Sequence, residues 1–289
     1  MKRGVIIALA TATLLPIHAG AKENSHDTHS AVSDKVISEQ RAKLAENTKG
    51  KGFGPQSPRD IDAVAGNNLR SFNDAPASKE MNLCNIHFHK NAEHKGGEFT
   101  KYAGNGDGHG FQSGYKYSGN LSASEIKSAG HDICPSKHGG LSAGDTIEVH
   151  YVHSTAEINP GPTLGSCLND AIKNPQLRVE TQVYVLVNDT SAFDFGSLTK
   201  HRKQSGLHQA INIPNNMGTP IQYAGSTTGP SYNEKGSPFQ VTWSVRPSVA
   251  KVNIDSVGKW CKDNVFNEEH AHGVRNLVTN PDLISKIGH

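Results

Sequence analysis

Two histidines, His87 and His89, stand one residue apart in the run Cys84-Asn85-Ile86-His87-Phe88-His89-Lys90. Isoleucine and phenylalanine favour extended backbone, and along a strand alternate side chains share a face. His87 and His89 therefore point the same way, and two imidazoles on one face can grip a single metal ion. A third ligand must come from a neighbouring strand, and Ile147-Glu148-Val149-His150-Tyr151-Val152-His153 offers it in His150. Glu148 precedes His150 by two residues on the same face, where a carboxylate can accept the ring's second N–H, fix its tautomer and raise its basicity. Three neutral nitrogens with a fourth position open form the donor set of catalytic zinc, whereas structural zinc sites are usually closed with cysteine. His153 faces the opposite side and reads as a packed histidine bonded to backbone. Cys84, an odd number of residues from both His87 and His89, should also face away, as half of a disulfide rather than a fourth ligand.

The rest of the composition fits that chemistry. Sixteen histidines in 289 residues is a high count, pointing to metal or proton chemistry. Cys84, Cys134, Cys167 and Cys261 lie far apart with no CxxC pair, so in an oxidising compartment they read as up to two disulfides in any of three connectivities. A formal net charge of +2 gives no reason to expect nucleic acid or an anionic membrane as a partner. The opening MKRGVIIALATATLLPIHAGA runs from basic to apolar to small residues, the order of a secretory signal peptide over 1–21. Its apolar run is too short to span a bilayer. The expected location is outside the cytoplasm, periplasmic in a Gram-negative cell.

The elements that must position the histidines are strands. DTIEVHYVHST (145–155), LRVETQVYVLVND (177–189) and QVTWSV (240–245) are rich in Val, Ile and Tyr, and Gly, Asn, Ser and Pro punctuate the chain between them. The fold class is mainly β: a large twisted, mostly antiparallel central sheet with short peripheral helices. Helical periodicity is confined to SASEIKSAG and NDAIKN, apart from a polar arm at 22–50 in which Val32, Val36, Ile37 and Leu44 can line one helical face. Such an arm can pack on its own domain, pack on a second subunit of a homodimer, or stay loosely ordered. Residues 51–289 then read as a single domain, with a Gly/Tyr-rich insertion at about 101–140.

In chain order, GPQSPRDID, HFH, EVHYVH, YAGSTTGP, VTWSV and HAHGVRNL resemble the signature segments of alpha-type carbonic anhydrases. The long gap from His89 to His150, the short stretch before His87 and CNIHFHKNAEHKGGEFT look most like the delta class, which is similar to the alpha class around the metal. The resemblance implies an alpha-carbonic-anhydrase-like fold and a Zn²⁺ enzyme that hydrates carbon dioxide to bicarbonate through a zinc-bound hydroxide. Inhibitory anions and sulfonamides would be further ligands. The alternatives are a non-catalytic carbonic-anhydrase-like protein or a periplasmic zinc-binding protein, for which SHDTHS (25–30) is a short His/Asp tract.

Matched residue by residue, the resemblance makes His87, His89 and His150 the zinc ligands and Glu148 the partner behind them. Thr227 is the expected hydroxyl that orients the nucleophile, with Ser226 a weaker choice because GSTTGP is one residue short. Glu98 is the expected glutamate behind that hydroxyl, and Glu93 its rival. Val152, Val183, Val241, Trp243 and Thr228 match the wall of the substrate pocket. His94, His109 and His131 are the candidates for exporting the proton.

Overall fold

The computed structural model describes residues 30–288. The leader expected over 1–21 and the first residues of the arm lie outside the described residues. Six strands form one sheet in the order β1 (Asn82–Lys90), β4 (Thr146–Ser154), β5 (Leu177–Val187), β9 (Gln240–Val245), β8 (Ile221–Ser226), with β10 (Ala250–Asn253) also paired to β5. The β1–β4, β4–β5 and β8–β9 pairs are antiparallel, while β9 and β10 run parallel to β5. The sheet is thus mostly antiparallel, as expected. Two ribbons lie outside it: β2 (Lys101–Tyr102) with β3 (Tyr115–Lys116), and β6 (His201–Gln204) with β7 (Leu207–Ala210).

Alternation divides the sheet into two faces. Ile86, Phe88, Ile147, Val149 and Tyr151 join Tyr184, Leu186, Phe195 and Trp260 in one core. Val152, Val179, Val183, Val241 and Trp243 pack together in another, on the side toward which His87, His89 and His150 alternate. Cys84 departs from simple alternation. The β1–β4 register shifts between Leu83 and Asn85, and this bulge puts Cys84 in the cavity-side cluster rather than on the far face. It is still half of a disulfide: Cys84 pairs with Cys167, and Cys134 with Cys261.

The polar arm is a helix, α1 (Asp34–Thr48), and it docks on its own domain. Leu44 packs with Val278, Leu283 and Ile284, while Gln40 Nε2 donates to Gly108 O at 2.9 Å and Arg41 Nε to Leu277 O at 3.2 Å. The other helices are short, α2 (Phe195–Leu198) and α3 (Ile254–Trp260). Neither SASEIKSAG nor NDAIKN is helical; both are turns and bends. Ile126 and Ile172 are exposed there, so the apolar faces that suggested helices have nothing to pack on, and so short a helix does not form in water unaided. Among the described residues no helix is long and apolar enough to cross a membrane.

The Gly-rich stretch at 103–114 connects β2 to β3 without further strand. Gly110, at φ +101°, lets it press onto the chain near the C-terminus: Val274 N donates to Gly110 O at 2.8 Å, and a Cβ on Gly110 would lie 2.5 Å from Val274 O. This contact seats Phe111 against the cavity described next.

Candidate metal centre

The β1–β4 register sets His87 directly opposite His150 and His89 opposite Glu148. Each ring has one nitrogen held by a protein partner. His87 Nδ1 bonds Asn85 Oδ1 at 2.6 Å, His89 Nδ1 bonds Gly273 O at 2.9 Å, and His150 Nε2 bonds Glu148 Oε1 at 2.7 Å. Every partner is an acceptor, so the held nitrogen carries the proton and the other is a bare lone pair. His87 Nε2, His89 Nε2 and His150 Nδ1 are those bare atoms, and the triad's ligand atoms lie within 4.8 Å of one another. His89 Nε2 is buried with no partner, and His150 Nδ1 faces His87 Nε2 at 3.2 Å, lone pair to lone pair. A cation among them satisfies all three, so the donor set fits a metal.

Burial keeps the ligands neutral. It pushes His89 down to about 4, reinforced by His272, and holds His87 well below its ordinary value, reinforced by His150 and His89. Burial lowers His150 as well, against the raising pull of its bond to Glu148. For Glu148 burial acts upward, yet the imidazoles of His94 and His150 outweigh it and hold the carboxylate well below the usual range.

His94 is not at the cavity mouth. It is fully buried, with Nδ1 on Glu148 Oε1 and Nε2 on Tyr223 OH, both at 2.7 Å. A second potential ligand group, His94, Glu148 and His150, is this hydrogen-bonded chain, its polar atoms already matched to one another. His109 and His131 are exposed, and neither lines the cavity. The mouth instead carries His270, His272 and Glu268 from the C-terminal HAHGV segment. This segment runs beside β1, with His272 N donating to Phe88 O at 2.8 Å and Lys90 N to His272 O at 3.1 Å. His272 Nε2 lies 2.6 Å from Glu268 Oε2; burial opposes a charged His272, but that carboxylate prevails and raises its pKa.

The cavity holds about 360 Å³. Val152, Val241, Trp243 and Thr228 line it, whereas Val183 lies behind it in the core and Val179, four residues earlier on β5, lines it instead. Leu164, Leu177 and Phe111 extend the apolar wall.

The structure separates the two candidate glutamates. Glu98 is exposed and accepts from Val249 N at 2.7 Å, away from the histidines. Glu93 is the buried carboxylate, with Oε2 3.7 Å from His89 Nε2 and Oε1 accepting from Arg275 N at 2.7 Å. Burial pushes its pKa up and Glu148 adds to the rise, opposed by His150, by Arg275 N–H and by the nearby Thr228; Oε2 has no hydrogen-bond partner among the described residues. Asn91, at φ +66°, turns the chain just past β1, so strand counting no longer locates the glutamate. Thr227 and Thr228 both line the cavity; Thr228 acts on the Glu93 carboxylate, while Thr227 Oγ1 pairs with Ser237 Oγ at 2.5 Å. Ser226 is buried outside the cavity, its hydroxyl donating to Thr227 O at 3.1 Å and accepting from Ser57 N at 3.2 Å.

Arg275 ties these pieces together. Its guanidinium donates to Ser57 O at 2.6 Å and to Gln56 Oε1 at 3.2 Å, while Tyr223 OH lies 3.0 Å from Ser57 Oγ. GPQSPRDID and HAHGVRNL thus meet behind the metal centre, a role no spacing within either segment reveals.

Residues 78–256, more than half of the chain, match the family model described as Delta carbonic anhydrase. No curated protein matches the sequence. Among solved structures, the chain is similar to a hyperthermostable carbonic anhydrase identified from an active hydrothermal vent chimney, at 17% identity over 85% of this chain and 90% of that one, with a TM-score of 0.31. It is also similar to the alpha-carbonic anhydrase of Thermovibrio ammonificans in complex with sulfanilamide, at 15% identity over 83% and 89%, TM-score 0.28. The alpha-carbonic anhydrase of Photobacterium profundum shows 16% identity over 85% and 95%, TM-score 0.26. On the family match, the chain belongs to the delta carbonic anhydrases.

Proposed function

We propose that the protein is a zinc-dependent carbonic anhydrase that reversibly hydrates carbon dioxide to bicarbonate and a proton. The observation that carries this reading is the convergence of three bare imidazole nitrogens on a cavity with one apolar wall, with Thr228 on its lining and the buried Glu93 beside His89. Held by His87, His89 and His150, zinc supplies Lewis acidity that makes water a nucleophile near neutral pH, the behaviour for which carbonic anhydrase is the standard illustration. Glu148 and Asn85 fix the tautomers of two ligands, and Gly273 O fixes the third. Thr228, on the cavity wall and acting on the Glu93 carboxylate, would give that carboxylate its hydroxyl proton, so that its oxygen accepts from a proton-bearing nucleophile and orients it. Val152, Val179, Val241 and Trp243 keep one side dry for a small apolar substrate. His270, exposed at the mouth, takes the proton outward in place of His94, His109 or His131.

We also propose that sulfonamides and small anions bind in this cavity, that residues 51–289 form one domain, and that 1–21 are a cleaved leader. Two disulfides fit an oxidising compartment such as a periplasm.

Stopped-flow hydration of carbon dioxide tests the reading. Wild-type protein is expected to hold about one zinc per chain and to hydrate rapidly, with both properties lost in His150→Ala. Full zinc occupancy without hydration would overturn the enzyme in favour of a zinc-binding protein.

A further inference from the structure

The loop between β4 and β5 reaches His87 through the Asn85 amide. Asn85, fully buried, gives Oδ1 to His87 Nδ1 at 2.6 Å, while its Nδ2 donates to Gly161 O at 3.0 Å. A backbone carbonyl can only accept, so Gly161 O dictates which end of the amide turns toward the loop and which toward His87. With Oδ1 on His87, Nδ1 must carry the ring proton and Nε2 is left bare for a metal. A flipped amide would offer N–H to Nδ1 and leave the wrong nitrogen bare. The loop is in turn pinned to β1: Gly161 N donates to Cys84 O at 3.0 Å, and the Cys84–Cys167 disulfide joins the loop's far end to the residue beside Asn85. Ser154 Oγ adds a bond to Cys167 O at 2.7 Å, and Thr163 and Leu164 of the same loop line the cavity.

We infer that the Cys84–Cys167 disulfide, by holding the 160–167 loop whose Gly161 O fixes the Asn85 amide on His87, sets how tightly the metal is bound. The inference rests on His87 being a ligand, as proposed above.

Its test measures zinc affinity by competition with a chelator and the His87 tautomer by ¹⁵N NMR of the metal-free protein. Asn85→Ala is expected to weaken zinc binding about 10- to 100-fold and to mix the His87 tautomers. Asn85→Asp keeps an acceptor for Nδ1 but loses the donor to Gly161 O, so it is expected to restore the His87 tautomer while leaving the loop uncoupled from the metal. Two variants perturb the loop independently: Cys84→Ala with Cys167→Ala, and Gly161→Ala, where the added Cβ would meet Ser166 Oγ at 2.7 Å. Each is expected to weaken zinc binding alone and to add little on top of Asn85→Ala, because both act through the same amide. Unchanged affinity and tautomer in Asn85→Ala would overturn the role of Asn85, and fully additive losses would overturn the coupling to the loop. If wild-type protein binds no zinc, the metal reading fails by itself. The tautomer measurement then still decides whether the loop controls His87.

Discussion

At the scale of single residues, the contrast between Glu93 and Glu98 is decisive. Glu93→Gln removes a buried acceptor behind Thr228 and is expected to slow hydration about 10- to 100-fold with zinc content retained. Glu98→Gln, at an exposed position, is expected to stay within about twofold of wild type; steady-state rates paired with metal analysis separate the two. His270→Ala is expected to lower kcat in weakly buffered solution and to recover when imidazole buffer supplies an external proton acceptor; a deficit that imidazole leaves untouched would remove His270 from the proton path. The three candidate ligands and Glu148 were legible in the sequence because they lie on strands, where a two-residue period carries directly into space. Glu93 reads there only as the rival of Glu98 and Thr228 only as a pocket-wall residue, and His270 is not picked out, because each lies beyond the end of a strand, after the turn at Asn91, the last residue of β8 or the bends before His272. Asn85 was within reach of the same two-residue period that linked His87 to His89.

At the scale of elements, the long strands announced themselves and the short helices did not. The seven-residue α3 is stabilised by an Asn253 side-chain cap on Ser256 N and by buried Val257 and Trp260, a pattern too brief for a helical period to show. Both windows read as helical lacked a surface to bury against. The arm at 34–48 shows what tertiary packing adds: a weakly patterned polar helix is ordered by a few apolar contacts and by side-chain bonds to the Gly-rich loop and the C-terminal chain. Leu44→Ala is accordingly expected to destabilise the fold by about 2–5 kcal/mol, read from the midpoint of urea unfolding. Zinc affinity should be unchanged, since α1 supplies no residue to the cavity.

At the scale of the whole molecule, the sheet buries several histidines in neutral form, and that ties folding to pH. His153, nearly inaccessible and bonded through Nδ1 to Tyr151 O at 3.0 Å, is pushed down to about 4 by burial. An unfolded histidine titrates near 6.5, so between those values the unfolded chain binds more protons than the folded one. The stabilisation is complete above about pH 6.5 and is lost as pH falls toward and through 4, at a cost on the order of 3 kcal/mol for this one group. Denaturant unfolding across that range should show a shallower pH slope in His153→Gln than in wild type.

The two disulfides carry one more consequence, set by their order along the chain. Cys84 pairs with Cys167 and Cys134 with Cys261, so the two bridges interleave. A chain emerging from its N-terminus presents Cys84 and Cys134 first, and these are not partners. An oxidant acting on thiols as they appear therefore forges a wrong link, which must be undone by thiol–disulfide exchange before the correct pair can close. A chain oxidised in that order is thus expected to need a shuffling catalyst as well as an oxidising one. Recovery of active protein from the reduced chain should accelerate when a disulfide isomerase is added.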